Sequence, residues 1–443
     1  MSAARRLADP GSGFAAKLIV LAAAGLALRL VYGFSLNDPS GDAVFYHQVA
    51  NRLADGDGFT LPFLGATAAH PPLFPLLLAV GSLLGATGMT AHQAIGCALG
   101  ASAAVVAGFA GRRLGGPAVG LIAAAVAAVY PPLLANDSLL LSESVYELTI
   151  ALTILAALRV LELPSRGRVL VLGLAIGLAS LARAEALLLV PLLGLPLALR
   201  LERSRLLSLG LVCLGAVVVV LPWTVRNVAA FDRFVLISTN DGSVIAGANC
   251  PSTYGPLLGQ WDLACSLRAG SKSGGGEAEA RALRELLRGG SLSRSAAAAY
   301  IRSSGGNEAV VAARQRRRGL SYARHHAGRV PKVVAARVGR TWSVYGVSQQ
   351  VRLNRFFRGS PSWLEWLTVG SFYAAALLAA LGAFVLRRRR GELIVLAAPL
   401  VLVTLSSALG FGTPRFRAAA EVAIVLLASV ALAAPFSARE RAG

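Results

Sequence analysis

Apolar stretches long enough to cross a lipid bilayer recur through most of this chain, and clusters of arginine sit at their ends. Inside hydrocarbon an unpaired backbone N–H or C=O has no water to bond. A crossing segment must therefore be an α-helix of roughly 17–25 mostly apolar residues or part of a closed barrel. The runs lie at about 14–34, 71–87, 90–111, 117–134, 143–161, 169–182, 185–200, 205–223, 363–386, 391–409 and 414–435. Composition agrees: 55% of the 443 residues are apolar and 15% charged, with a mean hydropathy of +0.63, which excludes a disordered chain. Four cysteines in this length exclude a disulfide miniprotein, and irregular spacing of the 47 glycines excludes a collagen-like repeat.

The net charge of +21 reads first as a topology signal, because cytoplasmic loops of membrane proteins carry the Lys and Arg excess. Arg5 and Arg6, Arg112 and Arg113, Arg166 and Arg168, Arg203 and Arg205, Arg387 to Arg390, and Arg439 and Arg441 should then share one side. Three runs precede Arg112, an odd number that would put it outside, so one run does not cross. The run 71–87 begins His70-Pro71-Pro72 and carries Pro75, Gly81 and Gly85, and it is expected to lie at the outer interface. The expected fold is an all-α polytopic membrane protein with about ten transmembrane helices, both termini inside, outer interfacial helices and a small exoplasmic loop region.

Three regions follow: 1–226, an N-terminal transmembrane module with a first outer loop at 35–70; 227–362, exoplasmic, with an interfacial helix; and 363–443, C-terminal transmembrane helices. Residues 42–55 have the spacing of an amphipathic helix, 271–276 of a flexible stretch and 277–288 of a charged helix, while 330–358 alternate Arg with apolar residues as in a headgroup layer. Cys250 and Cys265 share the outer region, where an oxidising compartment allows a bridge.

Ionisable groups at or inside spans are costly and mark candidate sites. Arg29, Asp42, Asp137, Glu143, Glu147, Arg183, Glu185, Arg226, Arg415 and Arg417 gather toward the outer face under this topology. Carboxylates and arginines together suit an anionic substrate with a group to be deprotonated, although interhelical salt bridges give the same pattern. Asp42 follows Pro39-Ser40-Gly41, where an Asp is also an ordinary helix N-cap, the reading that the residues alone favour.

Six short motifs occur in order: Ser40-Gly41-Asp42-x-x-Phe45-Tyr46; His70-Pro71-Pro72-Leu73-Phe74-Pro75; Leu141-Ser142-Glu143-Ser144; Leu181-Ala182-Arg183-Ala184-Glu185-Ala186; Leu221-Pro222-Trp223-Thr224-Val225-Arg226-Asn227; and Pro414-Arg415-Phe416-Arg417. Together they resemble membrane glycosyltransferases of the GT-C class, and more closely the bacterial branch of the protein O-mannosyltransferase and aminoarabinose-transferase superfamily, over most of residues 14–435.

The resemblance implies a multi-pass enzyme of the bacterial plasma membrane that works on the exoplasmic face. Its donor would be a polyprenyl-phosphate sugar and its acceptor a hydroxyl, with membrane lipids as surroundings and no nucleic acid. It implies Asp42 as catalytic base and a supporting or acceptor-holding role for Glu143, for which Asp137 competes; Glu143 also stands to pair with Arg183. A departing phosphate needs cations and no second acid, which points to Arg226, Arg415 and Arg417. Tyr46 and His70 complete the candidate set.

No metal ligand set and no cofactor are assigned. A divalent metal would have His47 and His70 beside the carboxylates, yet Ala69 stands where some relatives carry Glu. The competing class is a transporter or flippase of an anionic lipid or solute, which predicts duplicated halves and charges near the midplane; neither is visible.

Overall fold

The computed structural model describes residues 12–35, 41–200, 205–272, 274, 276–289, 292–358 and 360–442. Arg5, Arg6, Pro39, Ser40, Arg203, Ser273 and Gly275 lie outside the described residues. The chain is helical nearly throughout. In order come α1 (Ser12–Phe34), α2 (Asp42–Ala54), α3 (Leu73–Leu83), α4 (Met89–Gly115), α5 (Pro117–Val129), α6 (Pro131–Asp137), α7 (Glu143–Glu162), α8 (Arg166–Ala182), α9 (Leu195–Arg200) and α10 (Arg205–Phe231). There follow α11 (Asn240–Ala248), α12 (Leu263–Gly270), α13 (Glu277–Gly289), α14 (Arg294–Ser304), α15 (Glu308–His325), α16 (Val330–Thr341), α17 (Val347–Arg358), α18 (Ser362–Val385), α19 (Arg390–Leu409) and α20 (Ala418–Ala442). A small antiparallel pair, Thr60–Leu61 with Gly65–Ala66, folds the loop between α2 and α3.

Among the described residues seven helices are long and apolar enough to cross a membrane: α1, α4, α7, α10, α18, α19 and α20 with its preceding turn. Counting the bent pair α5–α6 as one span gives eight. The expected ten also included the runs 169–182 and 185–200. The first forms the 17-residue α8, and the second forms a 3-10 turn at Ala184–Leu188, a π turn at Val190–Gly194 and the short α9. Pro191 and Pro196 each remove a backbone donor there, so no continuous α-helix forms. Two prolines likewise explain the 56° bend between α5 and α6, which falls at Tyr130 just before Pro131 and Pro132. As expected, α3 is only 11 residues long and cannot cross.

α20 is the hub, buried on all sides from Ala418 to Val430 and packed by α5, α7, α18 and α19. Glycines let backbones meet: a Cβ on Gly173 of α8 would stand 2.3 Å from the Val212 carbonyl of α10, and one on Gly382 of α18 would collide with the Leu427 carbonyl of α20. At one end of the bundle Arg113 pairs with Glu162 and Arg389 donates to the Leu114 carbonyl, so arginine clusters remote in sequence share that end. The other end carries α2, the 59–70 strap and α11–α17, and Cys250 and Cys265 are bridged within it.

Candidate active site

Gly41 sets the geometry of Asp42. With φ 60° and ψ −119° it adopts a backbone that side-chain-bearing residues avoid, and it occupies the N-cap of α2. Asp42 is thereby the first helical residue and makes no cap hydrogen bond; its carboxylate turns instead to Arg415, whose Nη1 donates to Oδ2 at 2.7 Å. The cap reading of Asp42 therefore fails for a local reason: glycine already holds that place.

From Asp42 an alternating chain of charge runs across five elements. Arg415, in the Pro414–Arg417 turn before α20, also donates through Nε and Nη2 to the two carboxylate oxygens of Glu143, at 2.5 and 3.0 Å. Glu143, fully buried at the start of α7, accepts a further bond from Arg183 Nη1 at 2.7 Å. Arg183, extended at the break after α8, donates through Nε to Glu185 at 2.6 Å and stands 5.0 Å over the Phe416 ring. The fork of a guanidinium suits such bidentate pairing.

On the other side of Asp42, His70 Nε2 lies 3.6 Å from Oδ1, and His70 Nδ1 is 3.2 Å from the Tyr46 hydroxyl one turn along α2. A proton on Nε2 leaves Nδ1 as acceptor for the phenol, which fixes a self-consistent tautomer. Burial alone would raise the Asp42 carboxyl, but the charge of Arg415, helped by His70 and Arg183, outweighs it and holds the group at about 2. His70 is lowered, mainly by burial against the opposing pull of Asp42. Tyr46 is raised by burial and by the Asp42 charge, so its hydroxyl stays protonated.

This network opens onto a cavity of about 1770 Å³ between the bundle end and α11–α15. Asp42, Tyr46, His70, Arg183, Glu185 and Arg415 line it. Asp42 and Arg415 are partly exposed, at 33% and 26%, whereas the Glu143 carboxylate between Arg415 and Arg183 is fully buried.

The other candidates stand elsewhere. Arg226 donates to the carbonyls of Phe59 and Thr67 at 2.6 and 2.7 Å and lies 4.8 Å over the Trp223 ring, so it holds the 59–67 strap. Arg417, 2% exposed, bonds Glu421, the Thr341 carbonyl and Ser343, with Phe372 against its guanidinium face. Neither lines the large cavity. Asp137 pairs with Arg29 at 2.7 Å inside the bundle and does not line it either. Among the described residues the His, Cys, Asp and Glu side chains close enough to share an ion are Cys250, Asp262 and Cys265, and the two sulfurs are already joined to each other.

Glu308 was not evident from sequence. From the start of α15 its carboxylate accepts from Thr67 Oγ1 at 2.7 Å, from the Ala68 N–H at 2.9 Å and from Thr239, gripping the strap that leads into His70. Its partners lie 241, 240 and 69 residues back in the chain, and only the Asn307-Glu308 helix-start signature was visible.

Residues 69–225 match the family described as dolichyl-phosphate-mannose-protein mannosyltransferase. The fold is similar to that of the archaeal oligosaccharyltransferase AglB from Archaeoglobus fulgidus, solved with an inhibitory peptide and a dolichol-phosphate. The likeness has a TM-score of 0.54 and 14% identity, and covers 98% of this chain and 52% of that one, so this chain spans about half the length of the archaeal enzyme. ArnT from Cupriavidus metallidurans, solved with undecaprenyl phosphate, aligns over 95% of this chain and 78% of its own at 14% identity, with a TM-score of 0.43. Among curated protein sequences none gives a significant match. The resemblance to GT-C membrane glycosyltransferases holds at the level of the fold.

Proposed function

We propose that this chain is an inverting glycosyltransferase that moves a sugar from a polyprenyl-phosphate donor to a hydroxyl acceptor at the exoplasmic face of a bacterial plasma membrane. The observation that carries the reading is the Asp42–Arg415 pair at the wall of the cavity, a carboxylate and a guanidinium in contact and both open to a ligand. The match over residues 69–225 and the AglB-like fold support a polyprenyl-linked donor.

In this mechanism Asp42 takes the acceptor proton as the acceptor oxygen attacks the anomeric carbon, and the bond from that carbon to the phosphate oxygen breaks. The departing polyprenyl phosphate leaves as an anion that needs no proton, and Arg415 with Arg183 stabilises it. Arg226 and Arg417 are already committed to carbonyl and carboxylate partners, so their contribution is to hold the strap and the last turn in place.

The pairing also orders the reaction. A carboxylate held at about 2 is a poor base, but a donor phosphate on Arg415 draws guanidinium charge away from Asp42 and raises its basicity. Activation of the hydroxyl is thereby tied to the presence of donor, which limits wasteful attack by water.

The test is turnover of the purified full chain with a panel of polyprenyl-phosphate sugars, reading the anomeric configuration of the product. Inversion with the wild type and a loss of about 10²–10⁴-fold in kcat for Asp42→Asn, in protein that remains folded, is the expected result. Near-wild-type turnover by Asp42→Asn, or a retained configuration, overturns the mechanism.

A further inference from the structure

The cavity extends well past the ionic network. From Arg415 one wall continues through three half-buried aromatic side chains: Phe416, then Phe411 at 4.6 Å between ring centroids, then Trp261 at 6.1 Å with its plane 30° from that of Phe411. This wall is fixed from behind. Trp261 Nε1 donates to the Ser243 carbonyl at 3.0 Å, which commits the indole edge to the scaffold. The Gly259 carbonyl accepts from the Gly412 N–H at 2.8 Å, which ties the 259–261 segment to the turn that carries Phe411 and Arg415. The Cys250–Cys265 bridge closes the same loop at its base.

Beside the aromatic wall sits Gln260, which lines the cavity yet is only 7% exposed. Its amide nitrogen is buried and, among the described residues, has no hydrogen-bond partner. Such a donor is costly to leave unmade, and the broad terminal torsion of Gln lets the amide swing toward a ligand at little cost. A wholly apolar ligand would leave the amide unsatisfied, and a wholly polar one would gain nothing from three ring systems. A pyranose or furanose ring offers both surfaces, with a C–H face for the negatively charged faces of aromatic rings and a rim of hydroxyls for an amide.

We propose that Gln260, Trp261, Phe411 and Phe416 form a carbohydrate subsite adjoining Arg415. The proposal deepens the glycosyltransferase reading and rests on it for the reaction in which the sugar takes part. The ring belongs to the donor's sugar or to a glycan acceptor, two sources of one chemistry.

The experiment uses the full chain in a detergent without a sugar headgroup and follows saturation transfer from protein to a panel of methyl hexosides and pentosides, for wild type, Gln260→Leu and Phe411→Leu. Wild type is expected to contact at least one glycoside. Gln260→Leu should weaken that contact about tenfold while the melting temperature holds or rises, because the change removes an unsatisfied donor without emptying the space. A structural role alone would not part affinity from stability in this way. Phe411→Leu should weaken the same glycoside, and the affinity for polyprenyl phosphate lacking a sugar should be unchanged in both variants.

Absence of any wild-type contact, or wild-type affinity in both variants, overturns the subsite. In turnover assays a KM raised for the donor assigns the subsite to the donor's sugar, and one raised for the acceptor assigns it to the acceptor; either supports it, and both KM values unchanged overturns it. Glycoside contact without turnover on any polyprenyl-phosphate sugar would count against the proposed reaction and leave the subsite standing.

Discussion

Arg29 pairs with Asp137 at 2.7 Å inside the bundle, and Arg415 pairs with Asp42 at the same 2.7 Å at its mouth. The chemistry of the two contacts is identical, yet their surroundings give them different tasks. Arg29 spends its remaining donors on the carbonyls of Gly25, Ala127 and Ala128, and both partners are at most 1% exposed. Gly100 packs so closely that a Cβ there would stand 2.1 Å from Asp137 Oδ2. That pair is a staple between α1 and the α5–α6 bend. The Asp42–Arg415 pair faces a cavity, where a substrate can replace one partner with another. The distance between two charges therefore says little about function; access decides.

The contrast fails if the two pairs respond alike to the loss of a partner. Asp42→Asn should give the largest effect on turnover, the loss of about 10²–10⁴-fold argued above, with a smaller loss of stability than at Arg29. Arg29→Met should do the reverse: it leaves the Asp137 carboxyl buried without its charged partner, at a cost of about 3–5 kcal/mol in stability. Thermal unfolding of the purified chain reads the loss, and the fraction that remains folded should bind polyprenyl phosphate normally. A variant at Arg29 that keeps its stability and loses only turnover would move that pair into the chemistry.

Much of this arrangement was legible because the residues stand at element ends. Glu143, Arg183 and Arg415 each open or close an apolar run and Asp42 opens the amphipathic stretch after the first one, and the topology sends those positions to one layer. The amphipathic α2 followed from spacing, the charged α13 from its composition, and the non-crossing α3 from the prolines and glycines of its run and the parity of the arginine clusters. Position in a layer does not reveal what a guanidinium meets. Arg226 finds the Thr67 carbonyl 159 residues away and Arg417 the Thr341 carbonyl 76 residues away, and nothing local distinguishes them from Arg415. Asp137 was indistinguishable from Glu143 for the same reason, since its partner lies 108 residues upstream in α1. The 185–200 run differs in another way: its apolar content is that of a span, while Pro191 and Pro196 each remove a backbone donor and leave 3-10, π and short α turns in place of one α-helix.

A smaller effect tests whether the mouth is held by the region beyond it. Glu308→Leu removes an acceptor shared by Thr67, Ala68 and Thr239, and so loosens the strap that ends at His70. Turnover should fall about tenfold with donor KM nearly unchanged, and Glu308→Gln, which keeps one carbonyl oxygen, should recover most of it. Equal losses in both variants would give the charge itself a role at the cavity wall, and the strap would no longer explain the effect.

The smallest expected effect is on the pH profile, and it separates the two groups that touch at the mouth. Asp42, depressed from 3.8 to about 2, contributes stability that is present above its unfolded value and lost as pH falls through about 2, so it stays ionised through mildly acidic conditions. His70 is also depressed, but as a base: the folded state favours its neutral form, which is secure above the usual 6.5 and is lost as pH falls toward the lowered value. Protonation at Nδ1 takes away the acceptor of the Tyr46 hydroxyl and adds a second cation beside Asp42. The fall of kcat/KM below pH 6.5, a property of the free enzyme, should thus follow His70, and His70→Gln should flatten it. In the donor complex, with phosphate on Arg415, the acid-side midpoint of kcat should lie well above 2 in His70→Gln, because Asp42 has then lost the charge that depressed it. A midpoint that stays near 2 with donor bound would mean that Arg415 never leaves the carboxylate, and the open pair would then be as closed as Arg29 with Asp137.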